Sequence, residues 1–316
     1  MPSNTVTTYG AVGNREDLSN QVFMITPSDT PFTSGIAKTS ADGVYHEWQT
    51  DSLRAPNGQN AKVEGADATY AAQNPTVRIG NRTQIIGDTF SVSNTQEAVK
   101  KAGPKEVARL SAKKSVELKK DVEAAMLCNQ TSVVGSSSVA RTARGVAGWC
   151  ATNYVGGAGG AAPNPATNTA PVAGTNTAFS EAMVKSVLLK AYQSGGNVTQ
   201  IHMRPSDKQL SSAFAGNATR MQEVEGNGKS AILQTAYSVY ASDFGNVAMI
   251  PNRVLSAVSD NAAYAIDPSM WALATLRGFE KTELAQVGDA RNWQIIYEGT
   301  LEARNEAASG QIRDLS

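Results

Sequence analysis

Four carboxylates stand close together in the first quarter of the chain: Glu47, Asp51, Glu64 and Asp67, with Arg54 and Lys62 among them. Clustered acids can hold a divalent cation or exchange protons with a substrate. The spacing lacks the glycine-centred loop of an EF-hand, so these charges are expected to face cations of a neighbouring subunit, or water. The two histidines, His46 and His202, fall in predicted strands and outside any HExxH-like or Cys/His cluster. No GxSxG elbow accompanies them, and packed, hydrogen-bonded imidazoles are expected. Gly157-Ala158-Gly159-Gly160-Ala161-Ala162 matches a loose dinucleotide fingerprint, but Pro163-Asn164-Pro165 follows where a helix must start. Gly228-Lys229-Ser230 resembles the end of a phosphate-binding loop, yet Glu223 occupies the place of its first glycine. Cys128 and Cys150 fit no zinc spacing and read as buried free thiols. The sequons at Asn81, Asn129, Asn197 and Asn217 read as chance matches. These residues form no catalytic constellation, and no cofactor or metal is expected.

Composition narrows the classes further. The 316 residues carry 28 basic and 28 acidic side chains, and only 18% are charged. Neutrality argues against an affinity-driven nucleic-acid binder, which needs Lys and Arg to displace phosphate counterions. A hydrophobic share of 41% argues against disorder, and two cysteines argue against a disulfide scaffold. No run of apolar residues is long enough for a membrane helix. The N-terminus has neither basic nor apolar regions of a signal peptide, so synthesis in a cytoplasm is expected. There are 46 Ala against 15 Leu, which suggests thin layers and close backbone contacts. Residues 1–100 hold 7 basic and 10 acidic groups, residues 101–150 hold 9 and 4, and residues 151–316 hold 12 and 14. The basic block is therefore the middle segment.

That segment is read as a long helix over Gly103–Asn129, opened by Gly103-Pro104. Its stripe comprises Val107, Leu110, Ser111, Lys114, Leu118, Val122, Ala125, Met126 and Asn129. Lys113–Glu117 and Lys119–Glu123 are expected as ion pairs one turn apart. Residues 1–38 read as an extended arm with a short helix near Arg15–Val22. Alternation over Val44–Gln49 and Thr76–Ile86 predicts a long two-stranded ribbon whose tip, about 51–75, is polar. Such a ribbon is unstable alone and must lean on something, expected to be another subunit. The Gly/Ala/Pro-rich stretch 151–178 reads as a linker or surface loop. Ser180 is expected to cap a helix with the stripe Val184, Val187, Leu188 and Ala191, ended by Gly195-Gly196. A strand over Val198–Met203 and a helix from Pro205 to about Phe214 follow. Strands are then expected at Tyr237–Ser242, Val247–Ile250, Ala263–Ile266, Trp271–Leu276, Trp293–Ala303 and Gln311–Leu315. The class is α+β with no repeating βαβ order, which points to a building block rather than an enzyme.

In this order the segments resemble a family. Thr8–Ser19 (TYGAVGNREDLS), Ile25–Phe32 (ITPSDTPF) and His46–Leu53 (HEWQTDSL) are similar to stretches of tailed-bacteriophage major capsid proteins. So are Arg144–Trp149 (RGVAGW), Tyr240–Gly245 with Ile250–Arg253, and Thr300–Glu306 (TLEARNE). The resemblance covers nearly the whole chain. It implies the α+β Hong Kong 97-type capsid fold, with an N-arm at 1–38 and an extended β-ribbon loop at 39–88. It also implies a peripheral domain at 89–174 and 271–316 with a spine helix at 103–129, and an axial domain at 175–270. The implied function is a major capsid protein that self-assembles into hexamers and pentamers, forming an icosahedral head around double-stranded DNA. Glu47, Trp48, Asp51, Arg54, Lys62, Glu64 and Asp67 on the ribbon, with Arg15 and Asp17 on the arm, are the inter-subunit contact candidates. The implied partners are further copies of the chain, a separate scaffolding protein, a portal at one vertex, non-specifically packaged DNA and room for a decoration protein, with no membrane. The implied location is the virion, and the host cytoplasm during assembly. No motif places the founding member's lysine–asparagine cross-link. An encapsulin-type compartment shell is the second reading of such a fold, and a small-substrate enzyme is a distant third.

Overall fold

The computed structural model describes residues 29–316, except 66, 69, 71, 73, 74, 102, 213, 215–238, 259, 260 and 287. The expected Arg15–Val22 helix, Arg15, Asp17 and Gly228-Lys229-Ser230 lie outside the described residues. In chain order the elements begin with α1 (Pro31–Gly35), β1 (Ala37–Ser40), β2 (Tyr45–Thr50), β3 (Val77–Arg82) and β4 (Gln84–Ser93). Next come α2 (Asn94–Ala98), α3 (Glu106–Leu127), α4 (Val146–Trp149), β5 (Tyr154–Val155) and α5 (Glu181–Gln193). They continue with β6 (Gln200–Met203), α6 (Pro205–Ser211), β7 (Val239–Ser242), β8 (Gly245–Pro251) and α7 (Arg253–Ala257). The chain closes with β9 (Ala263–Ile266), β10 (Trp271–Leu284), β11 (Ala290–Ala303) and β12 (Gly310–Ile312).

These make three sheets. The first has the order β1-β10-β11-β4, the second β5-β12-β9-β6-β8-β7, and the third is the β2-β3 pair alone. The first sheet packs beneath α3, because Leu118, Val122 and Met126 turn inward at helical spacing onto Phe90, Val92, Ile295 and Leu301. The second packs against α5, whose Val184, Val187, Leu188 and Ala191 are all buried, as their spacing requires. Strand β9 is the wall between the two cores. Its alternation sends Tyr264 and Ile266 to the α3 side and Ala263 and Ala265 to the α5 side. Small residues on one face let two layers approach closely, which is where the alanine excess is used.

Several expectations are corrected. The long helix is shorter than 103–129: it starts at Glu106 with Lys105 as its cap, so Pro104 lies before the helix, and it ends at Leu127. Asn129 is exposed beyond its end. Lys113 and Glu117 do pair, at 3.7 Å. Glu123 instead turns into the core and accepts from the backbone N–H groups of Phe32 and Thr33 at 2.9 and 2.7 Å. Lys114 reaches across to Asp88 on β4 at 2.8 Å. The Lys114 ammonium holds the Asp88 carboxyl below its ordinary value.

The stretch 151–178 is not a loose linker. Residues Ala161 and Val172, and Asn164 and Thr169, form bridges, and Thr177 bridges to Leu315. Gly157 N–H donates to Asp314 Oδ2 at 2.9 Å. Ser180 stands at the α5 cap position but its hydroxyl makes no capping bond. Gly195, at φ +87°, ends the helix in the left-handed region. Strands β10 and β11 run 14 residues each, both longer than expected, while β12 is shorter than Gln311–Leu315. Strand β6 begins two residues later than expected, and α6 stops at Ser211.

Candidate functional site

The ribbon is the element without a full complement of neighbours, and its root explains how it is held. Strand β2 pairs antiparallel with β3 from Tyr45↔Arg82 to Thr50↔Val77. The return strand is not continuous over Thr76–Ile86. It breaks at Thr83, where the chain leaves the two-stranded sheet and β4 joins β11 from Gln84↔Gly299 onward. The cause of the break is a polar clamp. Arg141 Nε donates to the Thr83 carbonyl at 2.6 Å, Thr83 Oγ1 donates to Glu298 Oε1 at 2.9 Å, and Arg277 Nε donates to Glu298 Oε2 at 2.8 Å. Arg141 also donates to Glu298 Oε1. Two guanidiniums therefore neutralise one buried carboxylate at the foot of the ribbon, as a buried charge requires.

Asn81 stands beside the clamp and is fully buried. Its amide donates to the carbonyls of Arg144 and Leu301 at 3.0 and 2.9 Å and accepts from the N–H groups of Arg144 and Arg82 at 2.8 and 2.9 Å. One side chain thus ties β3 to both β11 and the segment before α4. Buried amides of this kind are stable only when every group is matched, and here each is. The same residue opens one of the sequons, and its amide serves as a core bracket.

The inner face of β2 completes the root. His46 Nε2 lies 3.2 Å from Glu302 Oε2, and Thr39 Oγ1 and Arg304 Nε donate to the same carboxylate at 3.1 and 3.0 Å. Burial works to raise the Glu302 carboxyl, but these donors outweigh it and hold it below its ordinary value. The Trp48 ring lies 5.8 Å from His46 and 5.6 Å from Trp149, and the Arg144 guanidinium sits 4.5 Å over Trp149. Arg144 in turn donates to Pro165 O and Asn168 Oδ1 at 2.9 and 2.8 Å, so the 151–178 segment covers it. Burial pulls the Arg144 pKa below its ordinary value.

The remaining ribbon candidates lie outward. Glu47 pairs with Arg78 across the two strands at 2.8 Å. Asp51, Arg54, Lys62, Glu64 and Asp67 are exposed. Asp51 accepts from the Ser52 N–H, and Arg54 donates to the Ala55 carbonyl, both local bonds. Between them stand apolar side chains held in the open: Leu53 is 99% exposed, Tyr70 98% and Val63 79%. The structure therefore separates the candidates into Trp48, packed into its own subunit, and a charged, apolar-studded tip. Asn81, Thr83, Arg141, Glu298 and Glu302 do not stand out in the sequence, because their partners lie up to 263 positions away.

Neither histidine forms a reacting pair. His202 is buried edge-on to Phe32 at 5.6 Å, and burial pushes its pKa down to about 4. Burial and the Glu306 carboxylate push the Cys150 thiol well up, away from the reactive thiolate. Cys128 is half-buried rather than buried, and neither cysteine is in a disulfide. Among the described residues no three His, Cys, Asp or Glu side chains converge on a metal-sized site. A cleft of about 320 Å³ lies by Asn129, Asn176, Asn261 and Asp314. Two of those groups are engaged within the chain: Asp314 by Gly157, and Asn261 Oδ1 by Arg204 Nη1 at 2.9 Å.

Comparison with known proteins places this geometry. The major capsid protein of Escherichia phage Phieco32 is 28% identical over 343 aligned positions, covering 96% of this chain and 95% of that one. Among solved structures, the capsid of cyanophage A-1(L) superposes with a TM-score of 0.65 at 13% identity, covering 98% of this chain and 99% of that one. The SrpI encapsulin of Synechococcus elongatus superposes at 0.55 and 9% identity, covering 96% and 92%, and shares the fold alone. The α+β architecture is thus the Hong Kong 97-type capsid fold. The model of the SU10 major capsid protein family matches residues 2–316. This chain therefore belongs to that family and is a major capsid protein of a phage head.

Proposed function

We propose that the chain closes into hexamers and pentamers that join into an icosahedral shell around double-stranded DNA, and that its ribbon is the reaching arm. The observation that carries this reading is the contrast within one ribbon. Its root is bracketed by Asn81, Glu298 and Glu302, while Leu53, Val63 and Tyr70 stand almost wholly exposed at its tip. Apolar side chains on a rigidly held arm are stabilised when another surface covers them. Glu47, Asp51, Arg54, Lys62, Glu64 and Asp67 would then meet charges of a neighbouring copy, and Trp48 would keep the arm aimed. The arm at 1–38, with Arg15 and Asp17, would add a second contact. The division into loop 39–88, peripheral domain 89–174 with 271–316, and axial domain 175–270 follows the same reading. Heterologous contacts of this kind close into rings. A scaffolding protein, a portal at one vertex and a decoration protein are the further partners, and assembly takes place in the host cytoplasm. Removing residues 51–75 is expected to leave folded subunits that form no shells. Normal shells of that variant in electron micrographs refute the reading.

A further inference from the structure

Strand β10 is covered unevenly. On one side it pairs with β11 along its length, whereas β1 covers only Ala272–Thr275 on the other. From Arg277 to Leu284 every residue is exposed, and no other strand of the described residues lies on that side. An open edge offers a row of unpaired N–H and C=O groups to any strand that fits it. Natural edges are guarded by bulges, and here the register shifts fall between Thr275 and Arg277 and between Arg277 and Glu280. From Glu280 to Leu284 the register is unbroken, against Ile296 to Asn292. The guard therefore protects the first half of the edge and leaves five regular residues open.

We propose that this edge, Glu280–Leu284, pairs antiparallel with the same edge of a second copy about a two-fold axis at Thr282, joining two four-stranded sheets into one of eight. The inference rests on the shell reading above, which supplies the second copy. Charge and parity select the axis. Residues opposite each other in a sheet share a face, so the axis must pass through a residue position. An axis at Glu280, Lys281 or Glu283 sets a charge against its own kind, which is unfavourable. An axis at Leu284 runs off the end of the strand. An axis at Thr282 sets Thr282 against Thr282, and Lys281 against Glu283 of the second copy, twice.

The side chains are already arranged for this. The Lys281 ammonium lies 4.1 Å over the Trp293 ring, and Glu283 accepts from Arg291 Nε and Nη2 at 2.7 and 3.0 Å. Both are held to the sheet face, so little side-chain freedom remains to be lost on pairing. Across the joint the row reads Phe90, Trp293, Glu283, then Lys281, Ile295 and Asp88 of the second copy.

Cysteine cross-linking in assembled shells tests the register. Directly opposite Cα atoms are about 4.5–5.5 Å apart, within disulfide reach. Thr282→Cys shells under mild oxidation should give covalent dimers on a non-reducing gel. Shells co-assembled from Lys281→Cys and Glu283→Cys chains should do the same. Shells of either variant alone should stay at the baseline of the parent, because like positions lie about 8 Å apart. Shells of Thr282→Cys without dimers, or Lys281→Cys alone linking as fast, overturn the pairing. Should Thr282→Cys form no shells, the mixed pair decides by the same criterion. Links from β10 to a cysteine placed at Leu53 would mean that the ribbon occupies this edge, and overturn it too. Intact parent shells with no link remove the edge pairing only, whereas a parent that forms no shells removes the shell reading as well.

Discussion

Asn252 and Glu123 stand 129 positions apart and meet in the interior, where Asn252 Nδ2 donates to Glu123 Oε1 at 2.7 Å. The same carboxylate receives two backbone N–H groups from the start of α1. Asn252 also caps α7 by accepting from the Val254 N–H at 2.9 Å. One buried acid on α3 therefore fixes α1, α7 and the end of β8 together. Glu123→Gln brings an NH₂ among donors and leaves at least one of them unmatched. We expect a loss of about 1–3 kcal/mol in urea unfolding of the subunit, with a fold otherwise unchanged by circular dichroism.

Asn81→Ala should loosen the ribbon root. It strands the carbonyls of Arg144 and Leu301 and the Arg144 N–H in a dry setting. A loss of about 2–4 kcal/mol is expected, at 1–3 kcal/mol for each stranded group less partial relaxation. Hydrogen exchange should rise first over Tyr45–Thr50 and Val77–Arg82. Uniform exchange across the chain would argue against a local bracket.

Acid should weaken the subunit through His202. Its folded pKa, about 4, lies below the ordinary 6.5. The unfolded chain therefore takes up a proton at this position below pH 6.5, while the folded chain does not until about pH 4. Stability from this group is present above 6.5 and falls as pH drops from 6.5 to 4, by up to about 3 kcal/mol. His202→Gln should flatten that slope whatever its own mean stability. The difference between the two curves removes contributions shared by both, such as that of Glu106. Arg109 and Lys101 hold the Glu106 carboxyl at about 2, so its contribution fades as pH falls from 4.5. Parallel curves for parent and variant would exclude His202 as the source.

Gly157→Ala should cost about 1–3 kcal/mol, the usual penalty for overpacking. A Cβ there would run into the Thr175 carbonyl oxygen, which is backbone and cannot swing away. Differential scanning calorimetry of Gly157→Ala beside Gly159→Ala gives the comparison. Gly159 has open space but a φ of +81°, so its cost is conformational and smaller, about 1 kcal/mol.

What the sequence made legible was local. The α5 stripe and the β9 strand follow from spacing, and they appear as read. Long-range polar pairing was not legible. Glu123 reads as a solvent-facing partner of Lys119 because helical spacing cannot reveal that α1 brings two N–H groups to it. Thr83 reads as mid-strand because its clamp comes from Arg141 and Glu298, 58 and 215 positions away. The 151–178 segment reads as a linker because its glycines and prolines signal turns, while its bridge to Leu315 and the Asp314 bond lie at the far end of the chain. The packing of the Trp48 ring on its own Trp149, 101 positions on, was equally hidden.

The break at Thr83 has a mechanical meaning. Strands β3 and β4 lie in different sheets but are one chain, with a single residue between them. Tension applied to the ribbon passes through that residue into β4, whose ten rungs with β11 run from Gln84 to Ser93. A load along β4 strains those rungs in shear, all at once, instead of peeling them singly. Part of the load leaves sideways at Thr83 through Arg141 and Glu298 before it reaches the ladder. The ribbon is thus anchored like a cable with a strain relief.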